Sequence, residues 1–94
     1  MAPNIIELAI ANAKDLGVVL TAFVPCVDHG LATCYRPIDN TWITWEVTPA
    51  TGSYVLGHYD FTDEAAAIAA MLARASSYER STHRRLSAQL MERL

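Results

Sequence analysis

Reactive side chains gather in one stretch of this chain, PCVDHGLATCYRPID, Pro25 to Asp39. Cys26, His29 and Cys34 stand there in a Cys-x2-His-x4-Cys spacing, with Asp39 five residues further on. Thiolate, imidazole and carboxylate are the ligand types of a tetrahedral zinc site, which needs four such groups to converge. The same stretch offers a thiol nucleophile, for which His58 would be the base, and a third group would have to orient that base. Asp28 beside His29 is an acid/base pair by composition, and Glu46 is a lone carboxylate in an otherwise apolar and threonine-rich segment. Whether any of these groups meet depends on the elements that carry them.

Those elements follow from local signals. Asn4 with Glu7 three residues later is a capping box ahead of an apolar-periodic run, and Gly17 follows Leu16 where a helix would end, so residues 5–16 are predicted helical. Four β-rich runs come next: VVLTAFV (18–24), LATCYR (31–36), TWITWEVT (41–48) and SYVLGHYDF (53–61). Turn residues separate them, and such short loops imply an antiparallel meander. Thr62 is the expected N-cap of a second helix, with Asp63 and Glu64 in the first turn where the helix dipole favours acids. Leu86, Leu90 and Leu94 recur every four residues and predict a C-terminal amphipathic helix over 79–94, separated from its predecessor by a break at Ser81 or Thr82. The expected fold is α+β, a four-stranded antiparallel meander preceded by one helix and followed by one or two, in a single small domain spanning 1–94.

Loop lengths give an expected register. Three residues (28–30) and two sets of four (37–40 and 49–52) pair Val24 with Cys34, Cys34 with Ile43, and Ile43 with His58. Cys26, Ala32, Trp45 and Leu56 then share that face, which the first helix and the alanine-rich second helix would both cover. The opposite face would carry an aromatic row, Phe23, Tyr35, Trp42 and Tyr59, beside a row of Val27, Leu31, Glu46 and Val55, with Thr33, Thr44 and Gly57 between them. A soluble monomer rarely leaves such a patch bare. Either the Leu86/Leu90/Leu94 stripe folds over it or another chain does.

In this register the candidate ligands do not converge. Cys26 and Cys34 are diagonal, about 7 to 8 Å apart at Cα, too far for an unstrained disulfide. His29 falls at a turn tip, Asp39 in another loop and His58 at the far end of the sheet. The cysteines read as small buried hydrophobes, and no metal or cofactor is expected.

Charge and composition narrow the function. The chain has 94 residues and a net charge of −3, and 52% of it is hydrophobic. Up to Glu64, eight acids face only Lys14 and Arg36, a net −6; beyond it Arg74, Arg80, Arg84, Arg85 and Arg93 outweigh two glutamates, a net +3. A nucleic-acid-binding body is disfavoured, because base-stacking aromatic platforms are flanked by cations and the strands offer only Arg36. The alternative of a single-strand binder would use the aromatic row with Arg80, Arg84 and Arg85 as anion contacts. The segment TWEVTPATGSYVLGHYDFTDEAAA is similar in outline to the helix-backed sheets of recombinase DNA-binding arms, but it lacks their basic strand residues, and no family follows from it. No apolar run reaches the roughly 18 residues of a membrane span, and the N-terminus does not read as a signal peptide, so a cytoplasmic location is expected.

The reading that results is a small acidic, non-catalytic protein-binding module: an adaptor, a regulator, or an inhibitor of the kind phages direct at host proteins. Its contact residues would be Phe23, Tyr35, Trp42, Tyr59, Glu46 and Val55, meeting a protein partner or a second copy in a homodimer. The competing class is a small enzyme or metal and ligand binder around Cys26, His29, Cys34, Glu46 and His58.

Overall fold

The computed structural model describes residues 4–25, 29–79 and 91–94. Its order is helix α1 (Ile5–Asp15), strands β1 (Val19–Pro25), β2 (Gly30–Arg36), β3 (Thr41–Val47) and β4 (Tyr54–Phe61), helix α2 (Glu64–Glu79) and a short strand β5 (Glu92–Arg93). The fold is α+β. All strand pairs are antiparallel, and the sheet runs β4-β3-β2-β1-β5.

Local chemistry sets the helix ends. Asn4 caps α1, its Oδ1 accepting from the Glu7 amide at 2.9 Å. At the other end Gly17 takes φ +73°, its amide donates to Lys14 O, and the Val18 amide donates to Ala13 O at 3.0 Å. Together these bonds form a Schellman motif, which needs a left-handed residue where Gly17 stands. For α2 the cap is Asp63 rather than the expected Thr62: its Oδ1 accepts from the Ala66 amide at 2.7 Å.

The two helices lie on opposite faces of the sheet, not on the same face as expected. Against α1 pack Leu20, Phe23, Ala32, Cys34, Ile43, Trp45 and Val47, with Ala9 and Ala13 supplying the close helix surface. Against α2 pack Ala22, Val24 and Leu31, around Met71 and flanked by Ile68, Leu72 and Met91. Among the described residues, two polar side chains are buried on that second face, Thr33 and Thr44. The Thr33 hydroxyl donates to Met71 Sδ at 3.2 Å, which accounts for one of them.

Register explains the reversal. β2 and β3 pair as expected, Cys34 with Ile43 and Tyr35 with Trp42. In β1, however, Pro25 lies opposite Gly30, so the intervening loop is four residues and Val24 meets Leu31 instead of Cys34. That odd-numbered slip turns Ala22, Phe23 and Val24 to the other face, so Phe23 leaves the aromatic row for the α1 core, while a bulge between Leu20 and Ala22 keeps Leu20 on the α1 side. β3 and β4 start in the expected register, Glu46 opposite Val55, and then diverge: Thr44 faces His58 and Trp42 faces Phe61. Two β-bulges in β4 absorb the difference. Leu56 and Asp60, at φ +54° and +69°, are the left-handed residues in that strand.

At the C-terminal end, Ala22 pairs with Arg93 and Phe23 with Glu92. Residues 92–93 are therefore strand where the helix over 79–94 was expected. The break at Ser81 or Thr82 and the stripe positions Leu86 and Leu90 lie outside the described residues. Among the described residues no helix is long and apolar enough to cross a membrane.

Candidate protein-contact surface

Among the described residues, the groups that first suggested chemistry do not come together. Cys26 and Asp28 lie outside the described residues. Cys34 is a buried free thiol under α1, and burial pushes its pKa up to about 12, only partly opposed by a hydrogen bond with Tyr54. A thiol held neutral in this way is a poor nucleophile and a poor metal ligand. Asp39 sits in the β2–β3 turn, its carboxylate accepting from Arg36 at 2.7 and 3.0 Å and from Thr41 at 2.6 Å. The Arg36 hydrogen bond is the main cause holding this carboxyl below its ordinary range, with Thr41 second. His58 is exposed on β4 opposite Thr44, on the face away from Cys34, rather than opposite Ile43 as expected. Among the described residues no three His, Cys, Asp or Glu side chains are grouped closely enough to hold a metal ion.

Two aromatic clusters replace the expected four-membered row. On the α2 face Tyr35 and Trp42 remain paired, with ring centroids 4.9 Å apart, and the Tyr35 hydroxyl donates to Asn40 Oδ1 at 2.6 Å. On the α1 face Trp45 is held between Tyr54 and Tyr59, edge to face with each, at centroid distances of 5.1 and 5.7 Å. The indole Nε1 donates to the Tyr59 hydroxyl at 3.3 Å. Gly57 makes room for this arrangement, since a Cβ there would lie 2.5 Å from Trp45 Nε1. Tyr54 anchors the cluster to α1 by donating to Ala9 O at 2.7 Å.

Tyr59 is the outward member of that cluster, 50% exposed. The Arg36 guanidinium lies 5.9 Å from its ring centroid, within cation–π range, and is tied to Asp39 and to Asp60 at 3.5 Å. Further along the same edge strand Val55 is 43% and Leu56 67% exposed. The free edge of β4 thus exposes apolar side chains on both faces, Tyr59 on the Trp45 side and Val55, opposite Glu46, on the other, with a charged margin beside Tyr59. Of the residues expected to make contacts, Tyr59 and Val55 belong to it, Tyr35 and Trp42 form the separate pair, and Phe23 is buried. Leu56, expected in the core, is exposed instead.

Glu46 is turned towards α2. Its carboxylate lies 3.3 Å from the guanidinium of Arg74, and the two side chains are 16% and 13% exposed. Arg74 also donates to the Leu56 carbonyl at 2.9 Å and approaches Thr44 Oγ1 at 3.5 Å. The sequence held one signal for this pairing: from Ala65 to Tyr78 Arg74 is the single charged residue, and a lone charge on an apolar helix face calls for a partner. Arg80, Arg84 and Arg85, the anion contacts of the nucleic-acid alternative, lie outside the described residues.

No protein-family model, no curated protein and no solved structure matches this chain.

Proposed function

We propose that this chain is a small, non-catalytic protein-binding module whose contact surface is the outer rim of β4, with a second copy of the chain as its occupant. One observation carries the reading: Val55, Leu56 and Tyr59 stand exposed along an edge strand. Tyrosine is among the residue types that supply most of the binding energy at interface centres, and apolar neighbours exclude water around such an anchor. The two bulges interrupt the ladder that strand-to-strand addition needs, so contact is made through side chains. Asp39, Asp60 and Arg36 form a mixed-charge margin, which suits self-association because each sign can meet its opposite on the other copy.

Light scattering over a concentration series tests this. The expected result is a mass that rises from 10.3 kDa towards twice that value, and that returns to the single-chain mass in Val55→Thr with Leu56→Asn. Threonine suits a strand and asparagine tolerates the left-handed backbone of position 56, so the variant keeps the fold while losing the apolar rim. A wild-type mass of 10.3 kDa at every concentration overturns self-association.

A further inference from the structure

β4 carries two residues more than a straight ladder on β3 can use. Glu46 faces Val55, and an uninterrupted antiparallel pairing from there would set Trp42 opposite Tyr59; the structure sets it opposite Phe61. The excess is stored at the two left-handed positions, Leu56 and Asp60. Such backbone is unfavourable for a residue with a Cβ, less so for aspartate than for leucine.

Three contacts hold the stored form. Arg74 donates to the Leu56 carbonyl, Trp45 donates to the Tyr59 hydroxyl, and Arg36 reaches Asp60. We infer that β4 is a two-register strand, in which Arg74 latches the bulged register and release of the latch lets the strand straighten on β3. Because the side chains of a strand alternate, the straight register turns Tyr59 from the Trp45 side of the sheet to the Tyr35 and Trp42 side. It also brings exposed Leu56 opposite Trp45, on the apolar α1 side. The opposing cost is His58, which would move from an exposed site to a position facing buried Ile43. Apolar alternation and the latch therefore pull β4 in opposite directions.

The slide has a mechanical consequence. Replacing Phe61 by Tyr59 opposite Trp42 carries the strand end about 7 Å past its present place, two residues at about 3.4 Å each. That length is taken up at the bend of Thr62 and Asp63 and in the first turn of α2, where Arg93 meets Glu64 at 2.7 Å. The switch is a property of the strand and needs no partner.

NMR of the full chain tests it. In Leu56→Val with Asp60→Val both left-handed positions carry β-branched residues, which resist φ above zero. The expected result is loss of ring contacts from Tyr59 to Trp45 and their appearance between Tyr59 and Trp42. Persistence of the Tyr59–Trp45 contacts, or a folded protein in which Tyr59 meets neither ring, overturns the inference. Should that variant fail to fold, Arg74→Met with Glu46→Gln decides, because it removes the latch and its counter-charge together. There a second set of amide signals, or microsecond-to-millisecond exchange, is expected over residues 56–66. A single sharp set across those residues overturns the inference.

Discussion

The guanidinium of Arg74, on helix α2, sits 3.3 Å from the carboxylate of Glu46, the penultimate residue of β3, and both side chains are largely withdrawn from water. Removing one member of such a pair leaves the other charge poorly solvated. Arg74→Met is expected to lower stability by about 2 kcal/mol, below the roughly 3–5 kcal/mol of fully buried pairs because both groups keep some solvent contact. Arg74→Met with Glu46→Gln is expected to cost less than the sum of the two single changes. Denaturant unfolding of the four proteins, compared as a double-mutant cycle, checks this.

Alkaline pH should weaken the fold through Cys34. Its folded pKa is about 12 against an ordinary 9.0, so above about pH 9 the unfolded chain loses the proton first while the folded thiol keeps it. Stability is therefore complete below pH 9 and falls as pH rises towards 12. Burial raises the Tyr54 hydroxyl too, and that shift acts in the same direction. The slope of unfolding free energy against pH in this window is expected to flatten in Cys34→Ala, and native Cys34 is expected to stay silent to a thiol reagent until denaturant is added.

The cap of α2 separates two adjacent residues. Asp63→Ala is expected to cost about 1 kcal/mol, the usual loss on removing an N-cap acceptor, while Thr62→Ala stays within about 0.5 kcal/mol. Thermal unfolding of both variants distinguishes them: equal losses would reassign the cap.

How far the sequence discloses this molecule depends on which interactions are local. Asn4 with Glu7 and Gly17 after Leu16 announced α1 at both ends, because caps are set by neighbours three or four residues away. The β2–β3 pairing followed from a four-residue turn in which Asn40 supplies the left-handed residue, at φ +58°. β1 was misjudged because its loop closes between Pro25 and Gly30, a shift small in residues but odd in number, which exchanged Phe23 and Val24 between faces. β4 was legible only as far as its first bulge, since leucine at position 56 gives no warning of left-handed backbone where glycine would have. The Arg74–Glu46 contact joins residues 28 apart in sequence, beyond the reach of any periodicity. The exposure of Tyr59 and Val55 was legible in the sequence; that of Leu56 depended on the bulges.

The pairing of β5 with β1 bears on how the chain is made. Ala22 meets Arg93 across about 70 residues of sequence, so during synthesis the outer flank of β1 emerges long before the strand that shields it. Domains assemble as they leave the ribosome, and unpaired strand flanks are where nascent chains stick to one another. The nascent protein thus carries one open backbone flank until residues 92–93 have emerged, about 70 positions after the strand they cover, and only then does two-residue β5 close it.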